Sequence, residues 1–310
     1  MRVIYSFKNL SPLAKNSALA IGNFDGLHLG HQKILKFLVQ KAREKGLFSF
    51  VLTFSPHPEK ILGKGNVNMI QTLPQRLEGM KKIGIQAVLI TPFDQKFSSL
   101  SGRRFAQEVI VNCLKAKEVI VGENFRFGKS RKGDICALRR FGLKFGFHVH
   151  SLPPVKKNGK IVSSSLIRNL LQKGKIEEAN AMLGRFYEIE GKVIKGEARG
   201  KTIGYPTANI QTENEITPAG VFLTRAQIGS QSFPSLTNVG VRPTFKRKKK
   251  TIESYIIDFK KNLYGQKVKI HFLKKIRKER KFKNVKSLSL QIQQDLQLAK
   301  NYFLDFFPEI

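Results

Sequence analysis

The stretch GNFDGLHLGH at residues 22–31 combines residue types that can bind and activate a phosphate group. Its glycines let backbone N–H groups approach a phosphate, and the positive end of a following helix dipole favours the negative charge. His28 and His31 are three residues apart, so they share one face at the helix start, with Gly30 between them leaving space for a nucleotide. Both imidazoles can donate hydrogen bonds to phosphate oxygens. Two histidines at this spacing could also ligate a metal or be structural, but the strand before them and the helix after them favour phosphate recognition.

A second stretch, GEARGKTIGYPTAN at residues 196–209, is rich in glycine and small polar residues. A loop of this composition can surround a phosphate chain with backbone N–H donors. It lacks the GxxxxGK[ST] spacing of a P-loop, and on composition alone it could equally be a surface loop of a β-barrel. Glu253, farther along, lies in a strand pattern and by itself indicates only a solvated residue.

Two shorter patterns can also contact a ligand. In SSSLIR, residues 163–168, serines at a helix start can cap the helix and offer hydroxyl groups, and Arg168 can bind an anion with its forked guanidinium. An ordinary capped helix has the same pattern. Phe125 and Phe127 could stack against a flat ring or pack in a core, and the sequence leaves both interpretations open.

The first half of the chain alternates between strand-like and helix-like apolar patterns. This rhythm predicts a parallel sheet covered by helices, in which ligands bind beyond the carboxyl ends of the strands. The GNFDGLHLGH stretch falls at such a strand-to-helix junction. The predicted strands are residues 18–22, 48–54, 87–90, 118–121 and 147–152, and the predicted helices are residues 30–45, 73–83, 102–114 and 134–145.

After two predicted helices the pattern changes to short β-type runs punctuated by Gly, Pro and Asn. It predicts an antiparallel barrel or sandwich, followed by a final helix from about Val285 to Phe303. We place the domain boundary near Gly184, which gives an α/β domain over residues 1–183 and a β-rich domain over residues 184–310. The two helices are residues 164–172 and 176–183, and the strands are residues 187–194, 220–228, 235–241, 252–259 and 267–273.

The composition excludes several classes of protein. Of 310 residues, 41% are hydrophobic, enough for two buried cores, and no apolar run is long enough for a transmembrane helix. Cys113 and Cys136 are too few for a disulfide framework or a structural zinc site. The N-terminus lacks a secretory signal pattern, so we expect a cytoplasmic protein.

The charge is strongly positive, since 56 Lys and Arg against 22 Asp and Glu give a formal net charge of +34. Such a balance suggests a polyanionic partner, whether nucleic acid, a membrane surface or phosphorylated small molecules, but it also fits a lysine-rich surface with no specific partner. No aromatic-interleaved nucleic-acid motif is present. We therefore expect neither a specific nucleic-acid partner nor a membrane partner, and the sequence leaves the oligomeric state open.

Residues 22–31 resemble the signature of the HxGH nucleotidyltransferase superfamily, in the form GNFDGxHxGH of the bacterial bifunctional riboflavin kinase/FAD synthetase family. Asn124 stands where that family usually has an acidic residue, and Ser165 replaces a threonine while keeping the hydroxyl group. Three later stretches resemble motifs of the same family in the same order, namely TFSPHP at 53–58, GENFRFG at 122–128 and SSSLIR at 163–168.

The second half of the chain is similar to riboflavin kinases. Residues 196–209 resemble the GxxRGxxxGxPTAN signature, and NVGVRPTF at 238–245 resembles NxGxRPTF. Glu253 begins a stretch that resembles the ExHxxDFxxxLYG block, with Tyr255 at the usual histidine position. Because Glu253 is retained, we expect the activity to be retained.

The resemblance implies a Rossmann-like nucleotidyltransferase domain with a parallel sheet, then an antiparallel riboflavin kinase barrel with a terminal helix. It also implies two reactions with ATP. In the first domain the phosphate of FMN attacks the α-phosphorus of ATP, and because this nucleophile is already an anion, catalysis needs alignment and charge stabilisation rather than a base. In the second domain the 5′-hydroxyl of riboflavin attacks the γ-phosphorus, and Glu253 would accept its proton.

The resemblance further implies roles for individual residues. Thr207 and Asn209 are expected to hold Mg²⁺ and ATP phosphates through oxygen ligands. The expected catalytic residues are His28, His31, Arg168 and Glu253; the expected nucleotide contacts are Gly22, Asn23, Phe24, Asp25, Gly30, Ser164, Ser165, Gly200, Gly204, Thr207 and Asn209; and the expected flavin contacts are Phe54, Asn124, Phe125, Phe127 and Arg242.

Two alternatives stay open. One module could be inactive, which would leave a kinase or an adenylyltransferase alone, and the replacements at Asn124 and Tyr255 are the hints for it. The chain could instead be a basic nucleic-acid-binding protein on an enzyme-derived scaffold. That alternative predicts the loss of catalytic residues, whereas all of the expected ones are present.

Overall fold

The computed structural model describes residues 1–7, 16–61, 63, 67–196, 200, 203–243 and 248–306, with the backbone alone at 241–243 and 248–250. Its packing divides the chain into two compact units, Met1–Ser164 and Ser165–Ile310. The first is an α/β unit, and the second is built on a β-barrel.

The first unit contains a six-stranded parallel sheet with β1 (Arg2–Ile4), β2 (Ser17–Ile21), β3 (Phe48–Phe54), β4 (Ala87–Thr91), β5 (Ala116–Gly122) and β6 (His148–Leu152). The strand order is β1-β4-β3-β2-β5-β6, which confirms the predicted parallel sheet. The chain passes from β2 to β3 on one side and later reaches β5 on the other side of β2. The carboxyl end of β2 is therefore a switch point of the topology, where ligands bind in sheets of this kind.

The helices of this unit agree closely with the predicted ones. The exception is the stretch predicted as one helix over residues 102–114, which is α-helical only at its start and π-helical thereafter. Strand β1 and a hairpin of β7 (Lys156–Lys157) and β8 (Lys160–Ile161) were not predicted, because such short strands show no period-2 pattern. The helices are α1 (Leu29–Glu44), α2 (Pro58–Ile61), α3 (Leu73–Ile83), α4 (Gln95–Ser98), α5 (Gly102–Arg104), the π-helix Phe105–Cys113, a 3₁₀ turn at Lys129–Arg131 and α6 (Ile135–Phe145).

Apolar side chains pack in two clusters, one on each face of this sheet. Leu19 and Phe50 belong to one cluster, whereas Ala18, Ala20 and Val51 belong to the other. Successive residues of a strand point to opposite faces, which is why these neighbours separate. The central strands are thus anchored on both faces, and their carboxyl ends are held in place for the loops that follow.

The second unit contains a closed antiparallel barrel with β9 (Tyr187–Ile194), β10 (Ala208–Thr212), β11 (Gly220–Ile228), β12 (Gln231–Pro243), β13 (Lys248–Ile256) and β14 (Lys267–Arg277). The order around the barrel is β10-β13-β12-β11-β14-β9, and β9 pairs with β10 to close it. A terminal helix, α9 (Val285–Phe306), follows. These elements confirm the predicted barrel and terminal helix, although β10 was missed because it continues directly from the glycine-rich loop. Within the described part of the chain, every helix is too short or too polar to cross a bilayer.

Two helices precede the barrel, α7 (Ser164–Gln172) and α8 (Ile176–Leu183). Helix α8 is attached to the barrel, since the Asn180 amide nitrogen donates to the Phe272 carbonyl at 2.8 Å and the amide oxygen accepts from the Tyr187 N–H at 2.7 Å. The compact units therefore divide after Ser164 rather than near Gly184. As a boundary between functional modules, Gly184 stays a prediction.

The barrel wall has a hydroxyl network on one face and an apolar surface on the other. Thr224 Oγ1 lies 2.8 Å from Ser235 Oγ and 2.7 Å from Thr237 Oγ1, and Thr237 Oγ1 donates to Ser254 Oγ at 3.0 Å. All four residues are buried. Because side chains alternate along a strand, their neighbours lie on the opposite face, where Leu236 belongs to the cluster packed against α9. Along each strand, alternate residues thus belong to the two opposite faces of the barrel wall.

Gly191 lies in the seam where β9 pairs with β10. A Cβ atom there would lie 2.3 Å from the Gln211 carbonyl oxygen and 2.6 Å from an Ile210 methyl group. We expect Gly191→Ala to lower the free energy of unfolding of the barrel by about 1–3 kcal/mol, the usual cost of overpacking. Urea denaturation followed by circular dichroism, with hydrogen exchange of the barrel amides, measures the change.

Gly122→Ala is the matched control, because a Cβ atom there meets only an Ile34 methyl group at 3.7 Å. If Gly191→Ala and the control both left the free energy of unfolding of the barrel unchanged, the close contact at the β9–β10 seam would be contradicted.

Candidate active sites

His28 caps α1 with its own ring. Its Nδ1 accepts a hydrogen bond from the His31 backbone N–H at 3.3 Å. Because Nδ1 is the acceptor, the neutral ring carries its proton on Nε2. The two imidazoles stack with centroids 3.6 Å apart and an interplanar angle of 17°. His28 therefore holds an Nε2–H donor at the positive end of the helix, which suits the binding of a phosphate oxygen.

Gly30 makes room for the His28 ring. A Cβ atom at Gly30 would lie 3.2 Å from His28 Nδ1. A side chain at this position would therefore press on the capping imidazole, and the expectation that Gly30 leaves space for a nucleotide stays a prediction. Phe24, at φ 49°, packs its buried ring edge-on against His31 with centroids 5.3 Å apart. Direct contacts of Gly22, Phe24 and Gly30 with a nucleotide stay predictions.

Asp25 ties the same loop to two distant segments. Its buried carboxylate accepts hydrogen bonds from the backbone N–H groups of Ile70 at 3.0 Å and Gln71 at 3.3 Å. Its carbonyl oxygen accepts from Ser164 Oγ at 2.8 Å. Asp25 is thus a positioning residue that brings the start of the SSSLIR motif to the first motif. A nucleotide contact by its side chain stays a prediction.

Two residues to which the sequence analysis gave no role converge on Asn23. Arg76 Nη1 donates to the Asn23 carbonyl oxygen at 2.7 Å, and His57 Nε2 lies 2.9 Å from the Asn23 amide. Burial lowers the pKa of Arg76, and the charge of Asp25 opposes that shift. His57 follows the carboxyl end of β3, so the strand-end rule could have identified it. No pattern marks Arg76, which differs from the surface arginines only in its burial.

The aromatic residues expected to contact a flavin lie at different depths. Phe127 is 5% exposed and belongs to the hydrophobic core, so it packs there, and its contact with a flavin stays a prediction. Phe125 is half-buried and stacks on Phe127 with ring centroids 5.7 Å apart and an angle of 13°. Phe54 lies in the same core cluster, and Asn124 is exposed. Of these residues, Phe125 and Asn124 are placed where a ligand can reach them.

The SSSLIR motif forms the first turns of α7. Ser164 begins the helix, and Arg168 follows one turn later on the same helix face. Ser165 is exposed on the first turn. The expected anion contacts of Ser165 and Arg168 stay predictions.

The second unit contains a cavity of about 670 Å³ against the outer face of the barrel. The glycine-rich loop, strands β12 and β13 and helix α9 all contribute to its lining. Gly204 lies between two lining residues, and Asn209 lies opposite Glu253. The cavity thus brings together residues that the sequence separates widely, among them Gly200, Thr207, Asn238, Glu253 and Tyr255.

Strand register places Glu253 between two asparagines. Asn209 of β10 and Asn238 of β12 both lie directly opposite Glu253 of β13. Directly opposed residues of antiparallel strands share a face of the sheet. The three side chains therefore form a row across the barrel wall, with the glutamate at its centre.

The glycine-rich loop approaches these strands through contacts that only glycine permits. A Cβ atom at Gly196 would lie 2.1 Å from Asn209 Nδ2, and one at Gly200 would lie 2.2 Å from the Tyr205 carbonyl oxygen. Gly204 adopts φ 84°, in the left-handed region. Close packing thus accounts for two of these glycines, Gly196 against Asn209 and Gly200 against the Tyr205 carbonyl group, and backbone conformation accounts for Gly204.

Helix α9 forms one wall of the cavity, and a buried ion pair attaches it to β14. Arg277 donates Nε and Nη2 to Asp295 Oδ2 at 2.9 and 2.7 Å, and Gln291 Nε2 donates to Asp295 Oδ1 at 2.8 Å. Asp295 is 3% exposed. In the sequence Arg277 is one cation of a Lys/Arg-rich run, and only its pairing distinguishes it.

Tyr255 stands where the resemblance leads one to expect histidine. It lines the cavity and packs edge-on against Tyr205 with ring centroids 5.8 Å apart. Burial raises the pKa of Tyr255, and the nearby Asp258 and Tyr205 raise it further. A neutral phenol therefore lines the wall close to Glu253.

Several predicted features lie outside the described residues. They are the side chain of Arg242, residues 244 and 245 of the NVGVRPTF motif, and loop residues 197–199, 201 and 202. The expected flavin contact of Arg242 stays a prediction.

Comparison with known proteins finds relatives along nearly the whole chain. A family model described as FAD synthetase matches residues 10–166, and one described as riboflavin kinase matches residues 183–303. The curated proteins named bifunctional riboflavin kinase/FMN adenylyltransferase include one from Bacillus subtilis, 37% identical over 93% of this chain and 92% of that protein. Another, from Escherichia coli K12, is 32% identical over 98% of each.

A solved structure also matches the full length. It is described as that of a macrolide-efflux protein from Streptococcus pneumoniae, and it is 29% identical to this chain. The TM-score is 0.88 over 96% of this chain and 98% of that chain.

The Asp295 ion pair makes the docking of α9 testable. Asp295→Ala removes the partner of a largely buried guanidinium, so we expect the free energy of unfolding of the barrel to fall by about 3 kcal/mol. Amide exchange in α9 should rise with it. Because the chain has no tryptophan, circular dichroism and hydrogen exchange are the suitable measurements.

Gln297→Ala, at an exposed position of the same helix, is the matched control. Equal α9 protection in the two variants would show that the ion pair does not hold the helix.

Proposed function

The chain belongs to the family of bifunctional riboflavin kinase/FMN adenylyltransferases, and we propose that each of its two reactions has a site of its own. The chain phosphorylates riboflavin to FMN with ATP, and it adenylylates FMN to FAD with release of pyrophosphate. The observation that carries the assignment of residues is the convergence of two motif sets. One set meets at the carboxyl end of β2, and the other meets at the barrel cavity.

We assign adenylyl transfer to the GNFDGLHLGH loop. The FMN phosphate oxygen bonds to the α-phosphorus of ATP as the bond to pyrophosphate breaks, and oriented donors stabilise the charge on the phosphate oxygens. The Nε2–H of His28, held at the start of α1 and stacked on His31, supports this role. Arg168 would add a forked guanidinium, and Ser165 a hydroxyl group.

We assign phosphoryl transfer to the barrel cavity. The 5′-hydroxyl oxygen of riboflavin bonds to the γ-phosphorus of ATP while its proton passes to Glu253 and ADP leaves. Glu253 lines the cavity together with Gly200 and Thr207, which supports a triphosphate bound on the side of the glycine-rich loop.

We propose that Thr207 and Asn209 hold Mg²⁺ in this site. Magnesium prefers oxygen ligands and is usually bound by one or two protein groups together with substrate phosphates. The donor set fits, since Thr207 lines the cavity and Asn209 is packed against Gly196 and faces Glu253 across the strands. Among the described residues, His, Cys, Asp and Glu form no cluster of three or more that offers another site. When bound, the ion supplies positive charge to the phosphates.

We propose that the flavin ring of FMN contacts Phe125 and Asn124 in the first unit. Phe125 is half-buried over Phe127, and Asn124 is exposed beside it. Phe127 and Phe54 belong to the core cluster on which Phe125 packs, and their own contacts with the flavin stay predictions. The proposed flavin contact of Arg242 belongs to the second unit.

We propose a cytoplasmic enzyme without a specific nucleic-acid or membrane partner. The net charge of +34 is then a lysine-rich surface that acts on small anionic substrates. A gel-retardation assay across salt concentrations tests this, and sequence-selective binding that persists at high salt would overturn it.

A time course tests the two activities together. The full chain is mixed with riboflavin, ATP and Mg²⁺, and the flavins are separated by chromatography. FMN should rise first and FAD should follow. If FMN alone formed, the adenylyltransferase module would be inactive, and Asn124 would be the first residue to test. If FAD formed only from added FMN, the kinase module would be inactive.

His28→Ala should separate the activities in one direction. It removes one oriented donor, so FAD formation from FMN should fall by roughly 10²-fold or more, while FMN formation from riboflavin continues. Loss of FMN formation in a variant with an unchanged circular dichroism spectrum would refute the assignment of sites.

Glu253→Ala should separate them in the opposite direction. Without a base in the cavity, FMN formation should fall by roughly 10²- to 10⁴-fold, and FAD formation from supplied FMN should be unaffected. If this variant kept its rate of riboflavin phosphorylation, a group other than Glu253 would have to be the base.

A further inference from the structure

Asn238 Oδ1 is a buried acceptor that lacks a hydrogen-bond partner among the described residues. Most buried polar atoms of native proteins are paired, because an unpaired acceptor loses its hydrogen bonds to water without compensation. Asn238 also lines the barrel cavity. A hydrogen-bond donor on a bound substrate could therefore pair with this acceptor.

The register separates Asn238 from the phosphate side of the site. Asn209 and Asn238 lie on opposite sides of Glu253, one strand away from it each. Neighbouring strands are about 4.8 Å apart, so the two asparagine backbones are roughly 10 Å apart. Mg²⁺ holds its ligands at about 2.0–2.1 Å, so one ion cannot be shared readily across the glutamate between them. If Asn209 binds the metal and the phosphates, Asn238 is placed to bind the part of the substrate that lies on the other side of Glu253.

The chemistry of the acceptor narrows its partner further. Phosphate oxygens and the carboxylate of Glu253 are themselves acceptors, so they cannot donate to Asn238 Oδ1. The riboflavin side chain carries secondary hydroxyl groups next to the 5′-hydroxyl that reacts at Glu253, and each of them is a donor. We propose that Asn238 accepts a hydrogen bond from one secondary hydroxyl of the ribityl chain and so selects a polyol substrate.

This inference rests on the proposed kinase role of the cavity. A site built to hydrogen-bond a hydroxyl group rejects an analogue that lacks it, because the buried acceptor is then left unpaired. Asn238 is therefore a specificity-determining residue that touches the substrate beside the reacting oxygen.

The test compares three variants of the full chain, namely Asn238→Ala, Asn209→Ala and the control Gln231→Ala at an exposed position of β12. Asn238→Ala should lower kcat/KM for riboflavin by about 10- to 100-fold, the loss of one hydrogen bond to a buried acceptor. Its KM for ATP should stay within about twofold of wild type. Asn209→Ala should show the reverse, with a raised KM for ATP.

Riboflavin analogues that each lack one secondary hydroxyl identify the contact. With one of them the wild type should lose as much kcat/KM as Asn238→Ala loses with riboflavin, and the variant should lose no more with that analogue. Additive losses with every analogue, or a raised KM for ATP in Asn238→Ala with riboflavin unaffected, would overturn the proposal.

Thermal unfolding separates this role from a structural one. Because Oδ1 has no hydrogen-bond partner within the described ranges, Asn238→Ala should not lower the unfolding temperature, and FAD formation from FMN should match wild type. A clear drop in unfolding temperature would show a structural role and refute the proposal. If the wild type itself fails to phosphorylate riboflavin, the kinase assignment and this inference both fall; if the wild type is active and Asn238→Ala equals it, only this inference falls.

Discussion

The buried carboxylate of Asp25 holds the GNFDGLHLGH loop of the first unit from within the protein. Its oxygens bind the N–H groups of residues 70 and 71, and its carbonyl oxygen binds Ser164. Stabilisation of charge by donors is effective only when the donors are already oriented, because reorientation would cost the energy that they supply. Asp25, with Arg76 at the neighbouring carbonyl of Asn23, therefore matters through the order that it imposes on the loop.

In the barrel, strand pairing rather than a buried charge fixes the positions of the candidate site residues. Backbone hydrogen bonds of three neighbouring strands place Asn209, Glu253 and Asn238 in one row. Gly196 then lets the adjacent loop approach that row, since a side chain there would collide with Asn209, and Gly200 lets the loop fold against its own Tyr205 carbonyl group. The cavity wall supplied by α9 depends on a contact between residues farther apart in the chain, the ion pair of Asp295 in α9 with Arg277 in β14.

Local patterns predicted most of this architecture and only part of the sites. Buried parallel strands and amphipathic helices carry their periodicity in their own residues, whereas β1 and β10 are strands only because a neighbour pairs with them. The motif residues His28 and Glu253 were identified by resemblance. Arg76, Arg277, Asp295 and the supporting role of Asp25 were missed, because each depends on a partner far away in the chain. Gly30 shows the same limit of prediction from local sequence. A side chain there would press on the His28 imidazole, and only the folded loop shows that contact.

Two of the three departures from the family pattern, Asn124 and Tyr255, fall outside the contacts that order the loops. Asn124 is exposed, so an amide in place of a carboxylate changes the charge offered to a ligand without removing a support of the fold. Tyr255 lines the barrel cavity, and burial raises the pKa of its phenol, so it stays neutral where a histidine would titrate near neutral pH. The replacement thus removes a pH-dependent charge from the neighbourhood of Glu253 and keeps an aromatic wall against Tyr205. Both changes alter the lining of a site rather than its geometry, which is the kind of change that an enzyme with preorganised loops can accept while keeping both reactions.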